Sequence, residues 1–431
     1  MRNRVFLLGV TCAALFSPLA PAASLLSLDE AIRLAVDRNF GLSLSRDQSQ
    51  VAANAREGGR GAFLPSASAN VATKGPLEGG SPTTTVGASA DWEIFNGFRD
   101  RNAYRRLQSQ EKSASLQERL DLESLLETVL VSYYDIVQAK QRLQSIAEVM
   151  AVSGDRARLA QAKLEVGAGS RLEQLQALAD LNQDSSSWLD QNLSLERSKV
   201  RLNQVLARDA AEEFDVADSI PLSDTLPIEA WKSGLLDRNT SVALTRAQKD
   251  AANAGLAEAR GRWLPSVQAN VNYSAQPSAL NAGVGYDGGG YGISLSLPLF
   301  DRLATPTTVK QALINLRSGT TRVAQAESQA AADFEVARRQ YASDRRRIAL
   351  EARNLEVARM QAEAARERYK LGASSPLEFR DAQTRFLDAA GRLITARQSA
   401  KQAEAALLRL SGDLVRAGGA PVGAAPTAGG K

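Results

Sequence analysis

The sequence predicts a mainly α-helical protein with a small β part, built from one helix-strand-strand-helix unit used twice. Three observations carry this expectation. Short motifs return at a fixed offset, four runs alternate like strands, and two helical stretches are far longer than a globular domain uses.

The chain opens with Arg2 and Arg4, an apolar run from Val5 to Phe16, and small residues around Ala20-Pro21-Ala22. This pattern reads as a signal peptide over residues 1–22, too short to span a membrane as a mature helix. Cys12, the sole cysteine, lies inside that run, so the mature chain has no thiol for a disulfide, a metal or a nucleophilic reaction. Thr11 before Cys12 fits a lipidation signal poorly. The chain has no histidine, which removes the commonest general base and metal ligand. No cofactor or metal site is expected, and an enzyme ranks last among the function classes. Loss of Arg2 and Arg4 takes the formal charge from +4 to +2, too balanced for a nucleic-acid groove. No apolar window of 18 residues remains after cleavage, so a membrane crossing must use strands.

The duplication fixes the rest. Asp37-Arg38-Asn39 returns as Asp237-Arg238-Asn239, and Gly61-Ala62-Phe63-Leu64-Pro65-Ser66 as Gly261-Arg262-Trp263-Leu264-Pro265-Ser266, both 200 residues later. Further on the offset is 205, matching Ile94-Phe95-Asn96 to Leu299-Phe300-Asp301 and Val166-Gly167-Ala168-Gly169-Ser170 to Leu371-Gly372-Ala373-Ser374-Ser375. The added five residues belong between the strand-like runs, where insertions cost little. The expected units are a first repeat over 23–208, a connecting segment over 209–228, a second repeat over 229–416 and a disordered tail over 417–431.

Within each repeat the order is helix, strand, loop, strand, very long helix, glycine turn and returning helix. Strands are expected at about 66–73, 84–93, 266–274 and 290–299. Val267, Ala269, Val271 and Tyr273 alternate with polar residues, as do Tyr291, Ile293, Leu295 and Leu297, so each strand has one apolar face. The segments between the strands read as exposed loops, and Gly288-Gly289-Gly290 as part of the second loop rather than a phosphate cradle. Trp92, Phe95, Tyr273, Tyr291 and Phe300 stand at expected strand ends, where aromatic residues meet a membrane interface. Phe63 and Trp263 fit either that role or a core position at the bend.

From Asn96 to Gly167 and from Asp301 to Gly372 the chain holds 71 positions nearly free of helix breakers. At ~1.5 Å per residue such helices reach roughly 105 Å. The returning helices carry heptad stripes, Leu181, Trp188, Leu195 and Leu202 in one and Phe379, Phe386, Leu393, Ala400 and Leu407 in the other. A second partial stripe runs through Leu172, Ala179, Leu193 and Val200. Two seams suit the wall of a tube, with helices nearly parallel to their neighbours. Four strands cannot close a barrel alone, and open edges are not tolerated in lipid. Sharing among three chains would give twelve strands and leave a lumen.

The paired Leu-Pro strand starts at Pro65 and Pro265, the Phe-Asn and Phe-Asp turns at Phe95 and Phe300, and the glycine turns at Gly167 and Gly372 occur in this order across Leu28 to about Leu414. In this the chain resembles the TolC-type outer-membrane efflux protein family. The resemblance implies a homotrimer with a 12-stranded outer-membrane β-barrel continued by a long periplasmic α-helical barrel. It implies an exit channel of a tripartite efflux pump or type I secretion system. Its partners would be outer-membrane lipid, a periplasmic adaptor (membrane fusion protein) and an inner-membrane transporter of RND, ABC or MFS type. By the same resemblance the adaptor would meet the hairpin tips, at Val166, Gly167, Ala168 and Gly169 and at Leu371, Gly372, Ala373 and Ser374. Glu378 and Asp381 match the acidic residues that narrow the family's closed tunnel, and Glu173 takes that place in the first repeat. Gln176 replaces the second acid there. The competing expectation is a periplasmic coiled-coil scaffold or adaptor without a pore. Cargo is open, although the lack of His and Met-rich tracts argues against a dedicated metal exporter.

Overall fold

The computed structural model describes residues 24–75, 77, 83–223, 225–275 and 287–417. The expected signal peptide with Cys12, much of the first expected interstrand loop and most of the second, and the tail beyond 417 lie outside the described residues. The first half runs β1 (Ser24–Leu25), α1 (Leu28–Arg38), α2 (Phe40–Gly58), β2 (Ser66–Lys74), β3 (Thr83–Asn96), α3 (Arg99–Glu165) and α4 (Arg171–Val205). The second runs β4 (Phe214–Asp215), α5 (Ile228–Arg238), α6 (Thr240–Arg260), β5 (Ser266–Ala275), β6 (Asp287–Ser296), α7 (Ala304–Lys370), α8 (Pro376–Leu410) and α9 (Leu414–Ala417).

Where the sequence suggested one helix before each strand pair, the chain forms two, divided at Asn39 and Asn239. Each asparagine caps the second helix, its side-chain oxygen accepting from the backbone N–H of Leu42 or Val242 at 3.1 Å. The amide nitrogen of each donates to the last turn of a returning helix, Asn39 to Val205 O at 2.9 Å and Asn239 to Leu410 O at 3.1 Å. The repeated Asp-Arg-Asn triplet thus marks a junction that ties three helix ends together.

The four long strands form one antiparallel sheet in the order β2-β3-β5-β6, with β2 and β6 as its edges. Residues opposed across strands share a face. Ala69, Ala88, Tyr273 and Gly289 lie in one such row and Ala67, Ala90, Val271 and Tyr291 in another, so the apolar sets of all four strands coincide. Ser68, Ser89, Asn272 and Gly290 lie in a row of the other face, which is polar.

Two strand limits differ from the sequence expectation. Gly288, Gly289 and Gly290 are strand residues, paired with Ser274, Tyr273 and Asn272. Gly290 and Gly292 leave room for asparagine side chains on the polar face, since a Cβ at Gly290 would meet Asn272 Oδ1 at 3.2 Å and one at Gly292 would meet Asn270 Oδ1 at 2.5 Å. At its other end β6 stops at Ser296, short of residue 299, whereas β3 continues to Asn96.

Helices α3 and α7 are 67 residues each, about 100 Å at ~1.5 Å per residue. They begin after Phe98 and Leu303, both with positive φ, and end before Gly167 and Gly372, at φ +72° and +73°. The main core gathers midway along them. Leu126 to Ala139 of α3 and Phe334 to Tyr341 of α7 contribute buried side chains there, joined by Ile32 of α1, Trp231 of α5, Leu202 and Leu407.

The segment expected to be a mere connection, 209–228, belongs to this core. Phe214 and Val216 are buried, and β4 pairs in parallel with β1. Tyr133 donates its hydroxyl hydrogen to Leu26 O at 3.0 Å, and Lys140 binds Asp215 at 2.7 Å and Asp218 at 2.8 Å. Burial acts against the Asp215 charge, but the Lys140 ammonium outweighs it and holds the carboxyl below its ordinary range. Acidic residues in that segment therefore clamp the waist.

Phe63 and Trp263, undecided between core and girdle, are both exposed in the single chain; Phe63 meets Tyr104 edge to face at 6.1 Å. Of the heptad stripes, Leu195, Leu202, Phe379, Leu393, Ala400 and Leu407 are buried. The second stripe, Leu172, Ala179, Leu193 and Val200, is exposed. No helix among the described residues is long and apolar enough to cross a membrane.

Candidate functional site

Both hairpin tips are built alike. Past each long helix, Ala168 N donates to Lys163 O and Ala373 N to Arg368 O, both at 2.8 Å, closing a left-handed glycine cap over the last turn. The returning helices then start on Ser170 and Ser375, whose hydroxyls accept from the N–H of Glu173 and Glu378 at 3.1 Å. Serine followed three residues on by glutamate is the capping-box spacing, and the carboxylate also sits at the positive end of the helix dipole. Val166, Leu371, Leu172 and Leu377 leave large apolar surface exposed around the glycines.

The three acidic residues singled out from the sequence have different surroundings. Glu378 pairs with Arg368 at 3.1 Å, and Asp381 with Arg385 at 2.9 Å, all four side chains at least half exposed. The structure thus adds an arginine beside each carboxylate of the second tip. Glu173 is turned toward the other hairpin, where it accepts a hydrogen bond from the Tyr369 hydroxyl at 2.9 Å, with Lys163 Nζ at 3.9 Å. The pairs Lys163–Glu173 and Arg368–Glu378 are repeat equivalents; Tyr369 has Leu164 at its equivalent position and so acts in one hairpin alone. Burial raises the Tyr369 phenol above its ordinary value of 10.0, and the Glu173 carboxylate adds to this. It therefore stays a donor throughout the neutral range.

Sequence reading missed the polar network behind the tips. Arg156, almost fully buried, binds Asp180 at 2.6 Å. Arg380 of α8 binds Asp184 of α4 through two nitrogens at 2.7 and 2.8 Å, and Ser153 donates to the same carboxylate at 2.6 Å. Tyr369 stacks on Phe379 at 5.4 Å and 8°, with Arg156 and Lys163 over its ring. The signal was present as Asp180 and Asp184, one helical turn apart, but nothing in the sequence placed Arg380 opposite them.

At the sheet, Trp92 donates its indole hydrogen to Phe63 O at 3.2 Å and Phe95 packs edge to face on Phe98 at 5.2 Å, both at the helix end of β3. Phe300 is exposed just beyond β6, and Tyr273 lies near the far end of β5. Tyr291 is exposed but stands in mid-strand, opposite Val271, because β6 begins earlier than its glycines suggested.

Comparison with known proteins agrees with this architecture. The chain matches the model of the outer membrane efflux protein family over residues 38–208 and 231–413, one segment per repeat. It is 24% identical over 344 residues to the outer membrane efflux protein BepC of Brucella suis, covering 77% of this chain and 72% of that one. Its fold is that of the Campylobacter jejuni CmeC outer membrane channel, with a TM-score of 0.81, 19% identity and coverage of 90% and 85% of the two chains. The Neisseria gonorrhoeae MtrE outer membrane channel in its open state is also similar, with a TM-score of 0.76, 19% identity and coverage of 90% and 89%. A duplicated chain of open four-stranded sheet and 100 Å helices, matched in both repeats, belongs to the outer membrane efflux protein family.

Proposed function

We propose that the protein is the outer-membrane exit channel of a tripartite efflux pump or type I secretion system, acting as a homotrimer. The observation that carries this reading is the sheet. One face is apolar and the other polar, and its two edges are left unpaired among the described residues. Such a sheet satisfies its backbone in lipid only by closing with other copies, apolar face outward and polar face lining water. Three copies give twelve strands, enough for a lumen.

Below the sheet, α3, α4, α7 and α8 would continue the wall through the periplasm. The exposed apolar tips around Gly167 and Gly372 suit contact with a periplasmic adaptor, which in turn would bind the inner-membrane transporter. Glu378 and Asp381, in three copies, would ring the lower end of the tunnel, with Arg368 and Arg385 moderating their charge. The Tyr369–Glu173 bond and the Arg380–Asp184 pair tie the two hairpins of one chain together, as a closed tip requires.

The test is the state of the protein in cells. Heat-modifiable, detergent-extracted trimers in the outer-membrane fraction, conducting ions in planar bilayers, are expected. A soluble periplasmic monomer without conductance would favour the pore-less scaffold and end this reading.

A further inference from the structure

The apolar face of the sheet continues onto the helices through a chain of contacts that ends on arginine. Trp92 lies in a row with Ala269 and Ile293 on that face. Its indole donates to Phe63 O at 3.2 Å, the Phe63 ring meets Tyr104 at 6.1 Å, and the Tyr104 hydroxyl accepts from Arg60 Nε at 3.3 Å. Arg101 stands one turn before Tyr104 on α3, and Arg105 one turn beyond Arg101, so both border the same side. Arg105 also lines a groove between α3 and α6 with Asn253 and Ala257, and Arg260 follows Ala257 by one turn on that face.

We propose that Arg60, Arg101, Arg105 and Arg260 form an outward collar that binds the phosphate groups of anionic phospholipids, in the leaflet on the helix side of the membrane. This rests on the outer-membrane reading above and deepens it by naming a lipid class and its site.

The height of the sheet sets the level of the collar. The ten residues of β5 span roughly 33 Å at ~3.3 Å each, and about 25 Å when tilted as barrel strands are. That is the height of the apolar band, so side chains just past the strand starts stand among lipid headgroups. Phe63 and Trp263 are exposed there, as an aromatic girdle requires. An arginine beside such rings lays its stem along apolar surface and holds its guanidinium in the polar layer.

Charge at this level lacks a partner within the chain. All four arginines are exposed, and none forms an ion pair among the described residues. Their neighbours Arg56, Arg99 and Arg106 do pair, with Glu111, Glu93 and Glu258. Arg60 and Arg260 are repeat equivalents, so both halves of the chain bring a cation to the same level. The stretches that link the strands at the other end, 72–85 and 274–290, hold only Lys74, Glu78 and Asp287. The sheet is therefore cationic at its helix end alone. A planar guanidinium accepts two oxygens of one phosphate. A headgroup without its own ammonium leaves that phosphate uncompensated, which selects anionic lipid over zwitterionic.

The test counts lipid. Detergent-extracted trimers are equilibrated in micelles holding equal phosphatidylglycerol and phosphatidylethanolamine, isolated by gel filtration, and their retained lipids measured by mass spectrometry. Phosphatidylglycerol is expected to be enriched roughly fivefold over the micelles, the ratio set by about 1 kcal/mol per arginine at a lipid surface. Arg60→Gln, Arg101→Gln, Arg105→Gln and Arg260→Gln together should return the ratio to that of the micelles. The milder pair Arg60→Gln with Arg260→Gln should lower it part of the way, which keeps the test open to a variant that assembles. Arg262→Gln, in the groove on the other side of α6, should leave it unchanged. Potassium chloride at ~1 M, where the screening length is ~3 Å, should remove the enrichment from the unmodified protein. Equal retention of the two lipids, or enrichment that survives the substitutions, would overturn the collar. Displacement of phosphatidylglycerol from these arginines by lipopolysaccharide would overturn the choice of lipid. Absence of trimers from the outer-membrane fraction would instead defeat the channel reading on which the proposal rests.

Discussion

Helices α4 and α8 are repeat equivalents of 35 residues each, yet they live in different surroundings. On the seam each shares with its own long helix they agree, Leu202 and Leu407 both being buried completely. On the opposite side Leu189, Leu193 and Val200 of α4 are exposed, while their equivalents Ile394, Gln398 and Ala405 of α8 are buried. The cause is position. α8 packs against both α3 and α7, whereas α4 packs chiefly on α3. The shorter helices repeat the contrast, with Phe40 and Leu44 of α2 exposed and Thr240 and Leu244 of α6 buried. A duplicated chain therefore contains one complete seam and two halves of another, and the uncovered leucines and valines mark the halves.

Two substitutions of equal chemistry probe the shared side. Leu407→Ala and Leu202→Ala, each emptying a fully buried site, should each cost about 2–5 kcal/mol in denaturant unfolding of the detergent-solubilised protein. A large loss at Leu407 with none at Leu202 would break the equivalence. On the unshared side, Leu193→Asp with Val200→Asp should leave the helix content of the chain unchanged and abolish the trimer on native gels. Surviving trimers would show that this face of α4 is simply solvated.

The helix junctions sharpen the comparison at smaller scale. Asn239 is buried and Asn39 half-buried, though both cap a helix and hold a returning helix by its last carbonyls. Replacing Asn239 by Ala should cost about 1–2 kcal/mol through the lost cap and the unpaired carbonyl. Asn39→Ala should cost less, because water reaches the groups it leaves. Equal thermal shifts for the two variants would contradict the difference in burial.

Much of this was legible in the residues. The offsets located strands, long helices and glycine turns, because a duplication repeats local chemistry and local chemistry decides helix ends and strand faces. Three features were not. The Asp209–Pro227 segment looked like a linker because its apolar residues, Phe214 and Val216 among them, are interspersed with acids and prolines, and only the fold brings Lys140 to Asp215. Gly288–Gly290 read as loop because glycine lacks strand propensity, and the Asn272 side chain that needs the space at Gly290 lies on another strand, far along the sequence. Arg385 stands one turn beyond Asp381 on the same helix, a spacing the sequence does show, but Arg368 meets Glu378 across the hairpin tip, and that depends on helix rotation, which the pattern alone leaves free.

Those arginines set the smallest effect and its sign. Exposed ion pairs such as Asp381–Arg385 contribute about 0.2–1 kcal/mol, so removing either partner should leave the fold intact. A ring repeated around a narrow tunnel acts on passing ions through its net charge, and here each carboxylate is offset by a neighbouring guanidinium. Arg385→Ala should therefore unmask Asp381 and shift the reversal potential in a potassium chloride gradient toward cation preference. Glu378→Ala with Asp381→Ala should shift it the opposite way and raise conductance or relieve cation block. Movement in opposite directions is the mark of charges facing the permeation path. If neither variant moves the potential, the acidic pair belongs to the solvated outer surface of α8, and the tunnel is narrowed by other residues.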